Sequence, residues 1–189
     1  MKPSRSLRLV GGALLVVGAL VAGALPAGAT SATATVSGAS LAFVSSPSTA
    51  GLSITLNGLD QTATTTQSFD VGDATGSGAG WNVTATSTPF TTGGGTPHTL
   101  STSAVTVPSA PTVTCDTGAT CTTAATNISY PYTLPAGSTA PTATKIFNGA
   151  ANTGLGNQTV TVTMRLAIPA STFAGGYTST WTYSLVAGP

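Results

Sequence analysis

Residues 69–90 of the chain read FDVGDATGSGAGWNVTATSTPF, a glycine-rich approach that leads into a strand-like segment at Trp81. From Trp81 onward apolar and polar residues alternate, and side chains two positions apart point to the same face of a strand. A second tryptophan, Trp181, lies in the last strand-like segment, residues 177–186, where Tyr183 shares its parity. The sequence therefore predicts a fold built around two strands of the form Trp-x-apolar.

Alternation elsewhere in the chain predicts further strands. It is clearest at residues 159–168, and a clean alternation over residues 51–58 predicts a half-buried strand with Leu52, Ile54 and Leu56 on one face. Less regular segments predict shorter strands at residues 36–44, 62–69, 100–107, 111–115 and 143–147, with residues 130–135 as an edge strand or irregular arm. No segment is typical of a helix. Short strands divided by Gly/Pro turns predict an all-β fold, an antiparallel β-sandwich of the Ig-like kind.

The N-terminal segment has the three parts of a secretory signal peptide. Basic residues come first, namely Lys2, Arg5 and Arg8. An apolar run over residues 9–25 and a small-x-small site ending at Ala29 follow, so we expect cleavage after Ala29. An uncleaved membrane anchor is the alternative, because the run approaches spanning length. The predicted organisation has three parts: signal peptide 1–29, mobile leader 30–40, and one β-sandwich domain 41–189.

The exported chain that this cleavage would leave carries very little charge. Lys145 and Arg165 stand against four aspartates, which gives a formal charge of −2. Such a chain has no basic patch to neutralise phosphates, so we expect no nucleic acid and no anionic membrane surface as partners. Low charge combined with substantial hydrophobicity is also the opposite of a disordered composition. Threonine and serine supply the polarity, which suits the solvent faces of strands.

No motif with catalytic chemistry is visible, and we expect a protein that is not an enzyme and needs no cofactor. The single histidine, His98, lies beside a glycine-rich loop with no neighbouring carboxylate, and no Gly-x-Ser-x-Gly elbow occurs. Asp70 and Asp73 form the one close carboxylate pair of the predicted mature chain, in a segment interpreted as a loop. They could hold Ca²⁺ weakly with loop carbonyls, but the favoured interpretation is that they cap turns.

Cys115 and Cys121 bracket a short turn-like segment. Two cysteines in an exported chain are expected to form a disulfide bond. The alternative is a metal pair, but no histidine lies near enough in sequence to complete a zinc site. We therefore predict the Cys115–Cys121 disulfide.

The tryptophans allow two interpretations. In the first, Trp81 and Trp181 fill the core of the sandwich, each burying ~200 Å². In the second, at least one ring is a stacking platform for a sugar. Their shared parity with Val83 and Leu185 favours the core interpretation for both rings.

The order of these motifs resembles the WxL domain of Gram-positive surface proteins. The first half, residues 71–76, leads to Gly-Trp-Asn-Val at 80–83, and the second half has Ile-Pro-Ala at 168–170, Gly-Tyr-Thr at 176–178 and Trp-Thr-Tyr at 181–183. The resemblance covers the chain from about residue 41 onward. The third motif position is Val83 in one copy and Tyr183 in the other, where the family has leucine, so the chain resembles a diverged member.

The resemblance implies a secreted protein of the cell wall or cell surface that binds peptidoglycan, or another envelope glycan, non-covalently. It implies that Trp81, Val83, Trp181 and Tyr183 carry the motif, in a structural role or as wall contacts. Family members also assemble with a companion surface protein. The alternative function is a structural subunit of an extracellular surface layer or filament that assembles through strand edges.

Overall fold

The structure is a computed structural model that describes residues 33–48 and 51–189. The predicted signal peptide, residues 1–29, and the first residues of the predicted leader lie outside the described residues. The part of the chain that is described contains strands and no helix. In chain order the strands are β1 Leu41–Ser45, β2 Gln61–Asp73, β3 Trp81–Ser87, β4 Thr91–Thr92, β5 Val105–Val107, β6 Thr112–Cys115, β7 Tyr132–Thr133, β8 Thr144–Gly149, β9 Gly156–Ile168, β10 Tyr177–Thr178 and β11 Trp181–Ala187.

The larger sheet is built on the long antiparallel pair β2 and β9. The two strands stay in register from Gln61 opposite Ile168 to Asp73 opposite Gly156. β1 pairs with the edge of β2 that faces away from β9. β5 and β6 pair one after the other along the edge of β9 that faces away from β2, and β7 pairs with β5. The alternation that predicted a strand at residues 159–168 is therefore that of the central strand of the sheet.

The smaller sheet has the strand order β11-β3-β8, so the two tryptophan-bearing strands are direct neighbours. They run antiparallel, with Trp81 opposite Ala187 and Trp181 opposite Ser87. A separate two-stranded ribbon joins β4 to β10.

The core lies between the inward faces of the two sheets. Alternate residues of β9 are buried, as its sequence predicts, while β3 is buried along nearly its whole length. Phe69 of β2 meets Tyr183 of β11 edge-on, with ring centroids 4.8 Å apart, so the larger sheet packs on the smaller one. The prediction of an all-β antiparallel sandwich is confirmed.

The clean alternation at residues 51–58 does not form a strand, and that prediction is wrong. The segment has no regular secondary structure, because none of the described strands pairs with it, although β1 covers only Asp70–Asp73 of its edge of β2. Alternation shows that a segment suits a strand, but a strand also needs a neighbour to pair with. The final predicted strand is also divided: residues 177–178 pair with β4, and a new strand begins at Trp181.

Trp81 occupies a slot whose walls are made by glycine backbone. Its side chain is fully buried, its indole N–H donates to the carbonyl of Gly154 at 2.9 Å, and its ring lies 5.7 Å from that of Phe147. A Cβ atom on Gly154 would lie 2.5 Å from the Trp81 Nε1 atom, and one on Gly149 would lie 3.3 Å from Cε2. At Gly154 only glycine lets the backbone approach the ring this closely, whereas a Cβ atom at Gly149 would require a small shift of its neighbours.

The segment after Cys121 lies along the same slot. Cys115 and Cys121 are joined by a disulfide bond, with their Cα atoms 5.6 Å apart, as the sequence predicts. Beyond it, the Thr122 N–H donates to Leu155 and the Thr122 carbonyl accepts from Gly154. The disulfide therefore fixes the start of a segment that holds the Gly154 loop against Trp81.

We predict that Gly154→Ala destabilises the fold more than Gly118→Ala does. Both glycines have positive φ, at 81° and 84°, so both substitutions carry a backbone cost of roughly 1–3 kcal/mol. A Cβ atom on Gly118 would meet nothing within 4 Å, whereas one on Gly154 would collide with the Trp81 ring. Thermal unfolding followed by circular dichroism measures the difference between the two variants. Equal decreases in melting temperature for the two variants would contradict a close contact between Gly154 and the Trp81 ring.

Candidate functional site

A half-open groove of about 580 Å³ runs beside Trp181, and we call it the Trp181 groove. Aromatic rings, one proline, an amide and hydroxyl groups line it. The lining residues are Pro47, Ser48, Gln67, Phe90, Tyr177, Thr178, Ser179, Trp181, Thr182 and Tyr183.

Two elements position the aromatic walls of the groove. β11 carries Trp181 and Tyr183, which share one face of the strand, while the β4–β10 ribbon holds Tyr177 and the adjoining Phe90. The rings of Phe90 and Trp181 meet edge-on at 6.0 Å and 88°. Tyr183 is packed on Phe69, and burial raises the pKa of its phenol, so the hydroxyl stays protonated at neutral pH.

Gln67 places a polar group among the apolar side chains at the groove. It lies on the inward parity of β2 with Ala63 and Phe69, and it is 1% exposed. Its Nε2 atom donates to the Ser48 hydroxyl at 3.4 Å, a long hydrogen bond that a better acceptor would replace. A buried amide needs partners, so a polar ligand could hydrogen-bond Gln67 only by displacing Ser48.

The lining determines the class of ligand that the groove suits. None of the described residues that line it is charged, so an ionic ligand would find no countercharge. Its volume lies within the range of small-molecule sites, which combine apolar walls with a few placed polar groups. A sugar ring offers apolar C–H faces to aromatic side chains and hydroxyl groups to amides. The groove therefore suits a neutral ligand that combines apolar faces with hydrogen-bonding groups.

The four predicted motif residues do not form one site. Trp81 and Val83 are fully buried, whereas Trp181 and Tyr183 are half-buried at the groove. Six residue steps along β3 separate Trp81 from the position opposite Trp181, which corresponds to roughly 20 Å. Trp81 is a core residue of this fold and contacts no external partner while the protein is folded.

Asp70 and Asp73 both lie on β2, so the interpretation of their segment as a loop is wrong. Three positions apart on a strand, their side chains point to opposite faces and do not share a cation. Asp73 Oδ1 accepts hydrogen bonds from the backbone N–H and the hydroxyl of Thr75, at 3.0 and 2.7 Å, which is the arrangement of a turn cap. Among the described residues no three His, Cys, Asp or Glu side chains gather as metal ligands.

Asp70 faces a second carboxylate instead. Burial raises the pKa of the Asp70 carboxyl above 3.8, and the charge of Asp116 raises it further, while the Ser45 side chain opposes the shift. Asp116 itself accepts a hydrogen bond from the Thr159 hydroxyl at 2.9 Å. The two carboxylates are a local electrostatic cost on the outer face of the larger sheet.

His98 lies at the end of the glycine-rich loop, where its ring stacks on Phe173 at 3.9 Å. Its backbone N–H donates to the Thr92 hydroxyl, and its carbonyl accepts from the Thr92 N–H. These contacts anchor the end of the glycine-rich loop to Thr92 and Phe173.

Sequence reasoning missed Gln67, Phe90 and Tyr177 as groove residues. A signal existed for Gln67, because it interrupts the apolar parity of β2 two positions before Phe69. A large polar residue at a core position predicts a special environment. Phe90 and Tyr177 gave no such signal, since their meeting depends on the pairing of β4 with β10.

Comparison of the chain with protein-family models, with curated proteins and with solved structures gives no match. Within the described residues, no helix has the length and apolar character needed to cross a membrane.

We predict that Asp70→Asn raises the melting temperature slightly at pH 7 and leaves it unchanged at pH 3. The raised pKa means that the folded state holds the proton more tightly, so ionisation of Asp70 removes stability as the pH rises. At pH 3 the carboxyl is already largely protonated, and the amide then makes little difference. Thermal melts at both pH values measure this. Asp116→Asn removes the same repulsion between the two carboxylates and serves as the matched variant. A lower melting temperature for Asp70→Asn than for wild type at pH 7 would contradict the prediction.

Proposed function

We propose that this chain is a secreted, WxL-like cell-surface domain that binds the cell wall non-covalently, through a neutral glycan seated in the Trp181 groove. Peptidoglycan is the candidate ligand that the resemblance implies. A companion surface protein is a second partner, and it is implied by the resemblance alone.

The observation that supports the proposal most is the composition of the groove around the second motif. Trp181 and Tyr183 lie beside the buried amide of Gln67, and no charged side chain lines the space. Aromatic rings that are neither fully buried nor fully exposed can stack on a sugar at small entropic cost, because they are held by their own packing. The Phe90 ring, edge-on to Trp181, supplies that packing.

The polar groups of the groove would give the glycan its orientation. Gln67 can donate and accept at once, which suits the hydroxyl and acetamido groups of a wall sugar. Thr178, Ser179 and Thr182 add hydroxyl groups along the same wall of the groove. In this proposal the first motif, at Trp81, builds the scaffold, and the second motif presents the binding surface.

Co-sedimentation with purified wall sacculi tests the proposal. We expect wild type to pellet, and Trp181→Ala to bind roughly thirtyfold more weakly, since a central aromatic contact contributes on the order of 2 kcal/mol. Gln67→Leu keeps most of the side-chain volume and removes the amide, so it should also weaken binding.

Phe173→Ala is the matched control, because Phe173 is an aromatic residue, 61% exposed, that lies outside the Trp181 groove. It should bind like wild type. Circular dichroism melts of every variant separate lost binding from lost folding. Wild-type protein that stays in the supernatant, or equal losses for Trp181→Ala and Phe173→Ala, would contradict the proposal.

The second candidate function is a structural subunit that assembles through strand edges. The observation that favours it is the segment at residues 51–59, which is strand-like in sequence and pairs with none of the described strands.

A further inference from the structure

The chain contains two Asn-Gly steps, Asn57-Gly58 and Asn148-Gly149. In such a step the side-chain carbonyl carbon of the asparagine lies within reach of the glycine backbone nitrogen, so the two can close a five-membered ring. Glycine carries no side chain that would block the approach. Because both steps share this local chemistry, their surroundings decide whether either of them reacts.

Asn57 lies in an open part of the molecule. Residues 53–60 are all exposed to solvent, and the segment 51–59 pairs with none of the described strands. Gly58 has a φ of 80°, and a Cβ atom on it would meet nothing within 4 Å among the described residues. The Asn57-Gly58 peptide is therefore open to water and has room to change its conformation.

A hydrogen bond holds the Asn57 side chain over the next peptide unit. The Leu59 N–H donates to Asn57 Oδ1 at 3.0 Å, which is an Asx turn. This turn folds the side-chain carbonyl back along the chain, past the Gly58 nitrogen that would attack it. The same N–H contacts the oxygen that gains negative charge during the attack, so it favours the reaction electrostatically.

Asn148 is held in the opposite state. It lies in β8, is 1% exposed, and its Oδ1 atom accepts from the Thr126 hydroxyl and the Asn127 N–H, both at 3.1 Å. Gly149, which follows it, lies against the Trp81 ring. Turning the Asn148 side chain towards the Gly149 nitrogen would break both hydrogen bonds in a buried position, which is costly.

We propose that Asn57 is a site of spontaneous deamidation in the folded protein, and that Asn148 is protected from the same reaction. The Gly58 nitrogen gives its proton to solvent and bonds to Asn57 Cγ, and the Cγ–Nδ2 bond breaks with release of ammonia, which takes up a proton. Water then opens the resulting succinimide. Attack of water at Cγ gives aspartate, and attack at the backbone carbonyl carbon gives isoaspartate, in which the main chain runs through Cγ.

Either product adds a carboxylate, which is ionised at neutral pH, to a segment that has no charge. Residues 51–59 contain no Asp, Glu, Lys or Arg. Residues 52–56 line a second groove, of about 610 Å³, and none of the described residues that line this groove is charged. Deamidation therefore puts a negative charge next to Leu56 at its border, and isoaspartate also lengthens the main chain there by one carbon. This inference does not rest on the glycan site.

Peptide mapping by mass spectrometry tests the proposal on protein purified from expression of the full chain. The folded protein is incubated at pH 7 and at pH 9, and samples are digested with pepsin in acid, where succinimide formation stops. We expect Asn57 to lose its amide at least about tenfold faster than Asn148, because Asn148 reacts only in locally opened molecules. The loss should be faster at pH 9, since the attacking nitrogen must give up its proton.

Two comparisons separate the effect of the structure from that of the Asn-Gly sequence. In protein unfolded with guanidinium chloride and a reductant, the two steps should react at similar rates, because folding no longer protects Asn148. Asn57→Gln is the matched variant, since its longer side chain closes a ring more slowly, and acidic forms of it should accumulate more slowly. Circular dichroism melts show that this variant is folded.

Two results would overturn the proposal. One is equal loss of the amide at Asn57 and Asn148 in the folded protein. The other is an Asn57 that keeps its amide in the folded protein under conditions in which the unfolded chain loses it.

Discussion

The hydrogen bond from the Trp81 indole to the Gly154 carbonyl joins the smaller sheet to the loop that leads into the central strand of the larger one. Trp81 begins β3 of the smaller sheet, and Gly154 lies two residues before β9 of the larger one. The bond is buried, so its loss would leave a donor and an acceptor without water or partner. Gly149 and Gly154 make the close approach possible, and the disulfide-tethered segment after Cys121 closes the slot from outside.

The same constraint determines where the Trp181 groove lies. Trp81 fixes one end of β3, and the antiparallel register then places Trp181 at the other end, beside Phe90 and the β4–β10 ribbon. The C-terminus is held to the same scaffold, since the Asn82 amide donates to the Gly188 carbonyl at 2.6 Å. One tryptophan thus builds the sheet, and the other is presented at the Trp181 groove.

Much of the fold could be predicted from the sequence where the relevant information is local. The alternation in residues 159–168 predicts a strand buried on one face, and two cysteines six positions apart predict a disulfide bond, and the structure contains both. Pairing is not local, so the sequence could not show that residues 51–58 have no neighbour, or that Asp73 lies on a strand. The Trp181 groove forms where β2, β11 and the β4–β10 ribbon come together, which depends on long-range pairing. Trp181 and Tyr183 were candidates from the motif, and among the other lining residues only Gln67, a polar residue on an apolar parity, gave a signal.

The most direct test of the two roles follows the two indole N–H signals by ¹⁵N NMR while soluble peptidoglycan glycan fragments are added. The Trp81 indole is buried and hydrogen-bonded, so its signal should stay in place and exchange slowly with solvent. The Trp181 signal should shift with the concentration of glycan. A shift of Trp81 with Trp181 unmoved, or no shift of either signal at saturating glycan, would contradict this assignment.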